Sequence, residues 1–146
     1  MPDDNKKDPL EGLLVDEIAK QNRAKEFLAG ILSRRVEIHS KTGELDLLPE
    51  AYKVSASDTI LILLCAKLAQ KFLSSKIDKK EKDFSGKMPQ GDILKFLGTI
   101  EAGTIKSSLF NLRKDGFIKN EAGENYVAEA QLPKISERLQ KKVVGS

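Results

Sequence analysis

The sequence of 146 residues has no tryptophan, one cysteine, Cys65, and one histidine, His39. Because a single cysteine cannot form a disulfide within the chain, we expect a cytoplasmic, reducing environment. One cysteine and one histidine also exclude a Cys/His metal cluster. We expect His39 on a surface hairpin and Cys65, which lies inside the most apolar run, in the core. No set of carboxylates or nucleophiles converges in the pattern, so we expect neither an enzyme nor a cofactor.

Long hydrophobic runs are lacking as well. The longest, residues 60–66, is far below the roughly 20 residues that a membrane helix requires. The first residues, Met-Pro-Asp-Asp-Asn-Lys-Lys, are too polar for a signal peptide. The composition, 40% hydrophobic and 32% charged, is typical of a folded, helix-rich chain in water. We therefore expect no membrane partner.

The net charge of +3 is unevenly distributed along the chain. Residues 1–56 contain nine Lys/Arg against eleven Asp/Glu, a balance of −2. Residues 57–146 contain sixteen against eleven, a balance of +5. A basic excess is what a phosphate-binding surface needs, so a nucleic-acid partner would bind the second part of the chain.

The first part of the chain predicts a helix that packs on a core formed later in the sequence. We expect residues 1–8 to be a disordered tail, because they have no apolar pattern. Residues 9–56 should form an N-terminal helix and hairpin. From about residue 10 to residue 34, apolar side chains recur at three- and four-residue steps, the spacing of one helical face. This helix could break near residues 21–22.

A β-hairpin and a strongly apolar helix follow. Apolar and polar residues alternate on both sides of a Ser-Lys-Thr-Gly turn, which predicts a hairpin over about residues 35–48. Ser57 or Asp58 can then cap a helix over residues 58–76, because its side-chain oxygen can accept from an unsatisfied first-turn N–H. The helix is apolar nearly all round in its first half, so it must be covered on more than one side. We expect the N-terminal unit on one flank and the C-terminal helices on the other.

Two short helices are predicted after a solvated loop over residues 77–87. They span about residues 89–97 and 101–114, with only a small turn between them. Each ends at a glycine, Gly98 or Gly116. Glycine is favoured just after a helix because it adopts the left-handed conformation at low cost.

A second hairpin and a last helix complete the pattern. Two short strands at 117–119 and 125–128 are joined by Asn-Glu-Ala-Gly-Glu-Asn. A helix over residues 132–143 begins with a proline in its first turn. The predicted fold class is therefore mainly α with small β-hairpins (α+β), with residues 57–146 as the second unit.

The stretch Ile-Leu-Lys-Phe-Leu-Gly-Thr-Ile-Glu-Ala-Gly-Thr, followed by Leu-x-x-Leu-x-x-x-Gly, has the features of a known family. An apolar helix, a glycine-ended turn, an Ala-Gly-Thr helix start and a hairpin follow one another. Over residues 57–128 the chain resembles the winged helix-turn-helix family, small prokaryotic and especially archaeal members. The resemblance implies sequence-specific binding of double-stranded DNA and a role in transcription regulation. It makes residues 101–114 the recognition helix and residues 117–128 the wing.

Helical spacing separates two faces of the predicted recognition helix. Ile105, Leu109 and Leu112 fall on one stripe and should be buried. Hydroxyl groups on the other face can bond phosphates or base edges, an asparagine can pair with an adenine edge, and cations can neutralise phosphates. The residues that we predict to contact DNA are Thr104, Lys106, Ser107, Asn111, Arg113, Lys114 and, on the wing, Lys119.

Two features favour other functions. Glu121 and Glu124 at the tip of the wing would repel a phosphate backbone. Phe110, near the edge of the outward face, either packs under the wing against Phe117 or Tyr126 or contacts a partner protein. The alternative function is therefore a winged-helix protein–protein interaction module in a larger complex. A third function, binding of RNA or single-stranded DNA, would depend on stacking by Phe110 and Tyr126.

A homodimer is expected if the protein binds DNA, because a small helix-turn-helix protein usually gains affinity by reading two half-sites with two-fold symmetry. The dimer interface could be formed by the N-terminal helix, through Leu10, Leu14 and Ile18, or by the last helix. These three residues and Phe110 are the candidates for protein contact.

Overall fold

The computed structural model describes residues 9–14, 16–77 and 84–144, where the chain forms α-helices and two small antiparallel sheets, an α+β architecture. The predicted tail and most of the predicted solvated loop lie outside the described residues. None of the helices in the described ranges is long and apolar enough to cross a membrane. The helices are α1 (Glu17–Leu32), α2 (Ala56–Leu73), α3 (Gln90–Phe96), α4 (Ala102–Lys114) and α5 (Leu132–Val144). The strands are β1 (Val36–Ile38), β2 (Leu45–Leu47), β3 (Met88–Pro89), β4 (Lys119–Glu121) and β5 (Glu124–Tyr126).

Helix α2 is the centre of the core. Every side chain from residue 58 to residue 66 is buried, as predicted for a helix that is covered on more than one side. Helix α1 and strand β1 contact it, and so do α4 and β5. The prediction that Ser57 or Asp58 caps this helix is wrong. The cap is Ser55, whose Oγ accepts from the N–H of Asp58 at 3.2 Å.

Helix α1 is shorter than predicted, and it continues through residues 21–22, where a break had been thought possible. Asp16 caps it, because its Oδ1 accepts from the N–H of Ala19 at 2.8 Å. The chain before this cap makes a separate 3-10 turn, Glu11–Leu13. The apolar residues of the first two turns of the predicted helix therefore do not share one helical face with α1.

The first hairpin is confirmed, with Val36 opposite Leu47 and the exposed His39 just after β1. The second hairpin has a tighter turn than predicted. Ala122 and Gly123 alone form it, with φ of 53° and 85°, and two positive φ values are the geometry of a type I′ turn. The strands consequently lie at 119–121 and 124–126. Strand β3, which was not predicted, pairs with β5, so the sheet order is β3-β5-β4.

The predicted pair of short helices and the last helix are confirmed within two residues as α3, α4 and α5. Gly116 after α4 has a φ of 79°, as expected for a residue in the left-handed conformation. Gly98 does not adopt a positive φ, so the expectation for this residue is wrong. The predicted apolar stripe of α4 is buried against α2: Ile105, Leu109 and Leu112.

Cys65 is fully buried within α2, as predicted, and burial raises the pKa of its thiol to about 12. In the unfolded chain a thiol titrates near its ordinary value of about 8.5 to 9. Above that pH the unfolded state loses the proton while the folded state keeps it, so stability is lost as pH rises from about 9 towards 12. Relative to Cys65→Ala, the wild type should lose about 1 to 2 kcal/mol of unfolding free energy between pH 8 and pH 10. Urea titrations of both proteins check this, and parallel pH dependences would contradict it.

Candidate nucleic-acid interface

The outer face of α4 holds most of the residues that were predicted to contact DNA. Because the apolar stripe fixes one side of α4 on α2, the opposite side faces solvent. The side chains exposed there are small, polar or basic, with the exception of Phe110. The predicted residues among them are Thr104, Lys106, Ser107, Asn111 and Lys114. Within the described structure, this helix face therefore combines hydroxyl, amide and ammonium groups without a carboxylate between them.

Arg113 is placed differently from the other predicted residues of α4. Its side chain is half-buried, and its Nη1 donates to Oδ1 of Asn125 at 3.1 Å. One donor of the guanidinium is thus committed to strand β5. Arg113 joins the second hairpin to the end of α4, a role that was not predicted for it.

Asn125 is the centre of a small polar network that was not predicted from the sequence. It is 1% exposed, and its Oδ1 accepts from Arg113 and from Nδ2 of Asn120, both at 3.1 Å. Its Nδ2 donates to the carbonyl of Met88 at 3.4 Å. The network therefore connects α4 with all three strands of the sheet. The available signal was the two-residue period of a strand, which places Asn125 on the same inward side as the apolar Val127.

The predicted wing residue Lys119 is exposed on β4, opposite Tyr126. Glu121, at the tip, does not stand alone, because Nζ of Lys87 lies 3.4 Å from its Oε2. Lys87 also lies 5.3 Å from the ring centroid of Tyr126. Such an exposed ion pair contributes little to stability. The ion pair does place Lys87, in addition to Lys119, beside the hairpin. The charge of Lys87 reduces the repulsion that the acidic tip would exert on a phosphate.

The C-terminal end of α4 is braced by α5 and by the 3-10 turn Glu129–Gln131 just before it. Nε2 of Gln131 donates to the carbonyl of Gly116 at 2.9 Å. Nζ of Lys134 donates to the carbonyl of Asp115 and lies 4.3 Å from the ring centroid of Phe117. A cation at this end of a helix also interacts favourably with the helix dipole. The orientation of α4 is therefore held by α2, by the hairpin and by α5.

Phe110 does not pack under the wing. It is 60% exposed, so the expectation of contact with Phe117 or Tyr126 is wrong. The ring of Phe117 is covered instead from the α5 side, with the guanidinium of Arg138 4.8 Å from its centroid. Tyr126 is half-buried beneath Lys87. Of the two aromatic residues suggested for stacking, Phe110 alone presents most of its surface.

The predicted protein-contact residues at the N-terminus are also exposed. Leu10 and Leu14 lie before α1 and Ile18 in its first turn, so they do not form one helical stripe as predicted. Leu13, which was not among the predicted contact residues, is 75% exposed and belongs to the same apolar segment. This segment lies on α1 and before it, whereas the polar face described above lies on α4.

The exposed polar side chains of α4 and Lys119 of the second hairpin make up a basic surface, and the Asn125 network, which is itself buried, joins the two elements. The charge of this surface agrees with the positive balance of residues 57–146. In comparisons of the chain with protein-family models, curated proteins and solved structures, nothing matches.

Proposed function

We propose that the protein is a winged helix-turn-helix protein that binds double-stranded DNA in a sequence-specific way and regulates transcription in the cytoplasm. The observation that carries the proposal is the outer face of α4, which is polar, small and basic while the opposite face is fully buried. The order of α3, a short turn, α4 and a hairpin supports it. The basic balance of the second part of the chain supports it further.

Each exposed group on α4 has a role in this proposal. A major groove about 12 Å wide admits one helix, and the first residues of a recognition helix reach the base edges. Thr104 and Ser107 are short, so the backbone of α4 can approach the groove closely. The carboxamide of Asn111 can form paired hydrogen bonds with an adenine edge. Lys106 and Lys114 extend to either side, where they neutralise phosphates.

The second hairpin contributes through its position relative to α4. Lys119 and Lys87 supply positive charge near the sheet, and the Arg113–Asn125 hydrogen bond joins the hairpin to the helix. Because the Asn125 network holds the hairpin and α4 together, the wing can contact the DNA backbone while α4 lies in the groove, with a fixed distance and angle between the two contacts. Phosphate contacts of this kind set register and orientation, while base contacts set sequence preference.

The variant Lys106→Glu/Lys114→Glu tests the proposal. The affinity for a pool of random duplex DNA should fall on the order of 100-fold at low salt, because two phosphate contacts become two repulsions. The slope of log K against log salt concentration should shrink by about 0.9 for each phosphate that is no longer neutralised. The thermal midpoint should fall by only a few degrees, since both side chains are exposed and Lys114 alone lies in the last turn, where a carboxylate opposes the helix dipole. Fluorescence anisotropy at two salt concentrations, with single-stranded DNA in parallel, measures the binding.

The matched control is Lys20→Glu/Lys41→Glu, which makes the same change in net charge on α1 and on the first hairpin. It should reduce affinity far less than the α4 variant does. Equal losses in both variants would mean that only net charge matters. Unchanged binding by Lys106→Glu/Lys114→Glu would exclude α4 as the recognition helix.

A protein–protein interaction module is the second candidate, and the 60% exposure of Phe110 favours it. Apolar side chains of this size on an otherwise polar face are typical of contact sites. In this case the wild type would bind no duplex DNA even at low salt. The helix pair and hairpin would then serve as a scaffold that presents Phe110 to another protein.

A further inference from the structure

An apolar segment projects from the start of the described chain. We call residues 10–14 the arm. Leu13 and Leu14 in the arm are 75% and 80% exposed, and Ile18 in the first turn of α1 is 72% exposed. Single exposed leucines are common on protein surfaces, but a run of large aliphatic residues at such exposure is not, and it marks a contact surface.

The same chain has an apolar cleft of about 570 Å³ between the second half of α1, strand β1 and the end of α2. We call it the α1 cleft. Two exposed lysines, Lys25 and Lys76, also line it. Its volume lies in the range of sites that bind apolar groups. The apolar residues that line it include Leu28, Ala29, Leu32, Val36, Ala69 and Phe72.

Ile18, four residues after the arm, and the α1 cleft lie towards opposite ends of one face of α1. Ile18, Lys25 and Leu32 follow one another at seven-residue steps, and two helical turns return to the same face within about 20°. The arm leads into the start of α1, and the cleft lies along the second half of the helix. A helix of 16 residues is about 24 Å long. Two antiparallel α1 helices related by a two-fold axis would therefore bring each arm beside the cleft of the other chain.

The charges of the two surfaces are complementary. Glu11 lies in the arm and Glu17 in the first turn of α1. Lys25 and Lys76 line the α1 cleft. Opposite charges around an apolar contact set the register of two partners and disfavour others. A second copy of this chain supplies both the apolar side chains and the carboxylates that the cleft would take up.

We propose that two copies form a closed, two-fold dimer in which Leu13 and Leu14 of each copy occupy the α1 cleft of the other. Each contact is made twice, so the assembly closes at two chains. The proposal concerns the N-terminal surface and does not depend on DNA binding by α4. In this dimer the arm of one copy contacts the α1 cleft of the other. The arms do not pair with each other, and the last helix does not form the interface.

Disulfide trapping tests which surfaces meet. One chain carries Leu13→Cys and a second, longer by an affinity tag, carries Ala29→Cys; Cys65 stays in both because it is fully buried. After mild oxidation of the mixture, we expect the mixed disulfide as the main cross-linked product on a non-reducing gel. A dominant Leu13→Cys homodimer would overturn the proposal, because it would mean that the arms pair with each other. An intrachain disulfide as the main product of the double variant Leu13→Cys/Ala29→Cys would also overturn it.

Sedimentation without DNA tests the assembly itself. The wild type should sediment at twice the chain mass, and Leu13→Asp/Leu14→Asp as a monomer, with its circular dichroism unchanged because both residues are exposed. Phe110→Asp, an equally polar change at another exposed apolar residue, should stay dimeric. Lys25→Glu/Lys76→Glu should weaken the dimer, and addition of Glu11→Lys/Glu17→Lys should restore it. A monomeric wild type at high micromolar concentration, or no such restoration, would overturn the proposal.

Discussion

Replacement of Arg138 by methionine should lower the free energy of unfolding by about 3 kcal/mol. Nε of Arg138 in α5 lies 2.6 Å from Oδ1 of Asp58, which is fully buried in the first turn of α2. Loss of the guanidinium removes a counter-charge from a carboxylate that has left water. Removing one partner of a buried pair is more destabilising than an exposed ion pair would suggest, because the remaining charge stays desolvated. Here Asp58 is fully buried while a quarter of the Arg138 side chain is exposed, so we expect a value at the lower end of the range.

A double-mutant cycle distinguishes this cause from simple loss of packing. Asp58→Asn/Arg138→Met should be less destabilised than Arg138→Met alone, since no buried charge remains. Lys134→Met is the matched control, because it also removes a cation beside the Phe117 ring but leaves the Asp58 pair intact. We expect it to change stability by less than about 1 kcal/mol. Urea denaturation of the wild type, Asp58→Asn, Arg138→Met, the double variant and Lys134→Met gives the values. A double-variant loss equal to the sum of the Asp58→Asn and Arg138→Met losses would contradict the proposed role of Asp58.

The parts of the fold that depend on local pattern were predictable from the sequence. The three- and four-residue spacing of Ile105, Leu109 and Leu112 identified the buried side of α4, and the structure buries all three. The uninterrupted apolar run of α2 identified the central helix. Hairpins followed from alternation and turn residues. In each case a pattern within about 15 residues contains the information, because the period of the element decides which side chains face the core.

Contacts between distant segments were not predictable. Asp58 was a reasonable helix cap, because aspartate is a common cap and the residue lies near the start of α2. Nothing in the neighbouring sequence shows that Asp58 pairs with Arg138, 80 positions later. In the structure Asp58 lies inside the first turn, where it pairs with Arg138, and Ser55 is the cap. Strand β3 was missed for a similar reason, since its two residues become a strand only through pairing with β5.

The candidate site shows the same division. Helical spacing alone located the exposed polar residues of α4. The expectations for Phe110 and Arg113 were wrong or incomplete, because the position of the hairpin is set by tertiary contacts: Phe110 is exposed, whereas Arg113 bonds to Asn125. Arg113 is directed towards Asn125 because that side chain is buried in β5 and needs hydrogen-bond partners.

Asn125→Ala should destabilise the protein by about 3 kcal/mol, because three hydrogen bonds depend on one buried side chain and one of them is charge-assisted. Asn120→Ala is the control. It removes one of the same hydrogen bonds from an exposed residue and should change stability by about 1 kcal/mol or less. Equal losses in chemical denaturation would mean that Asn125 does not organise the network.

Asn125→Ala also shows whether DNA binding depends on the geometry of the site as well as on its charge. Asn125→Ala removes no cation, so the salt dependence of DNA binding should be nearly that of the wild type. The affinity of Asn125→Ala for DNA should nevertheless fall about 10-fold under conditions in which the variant is folded. The reason is that the hairpin is no longer held against α4, so the wing and the helix no longer keep a fixed relative orientation. Lys106→Glu/Lys114→Glu should show the opposite combination, a small change in stability with a reduced salt slope. Undiminished affinity of folded Asn125→Ala would mean that the hairpin contributes nothing to recognition and that α4 binds alone.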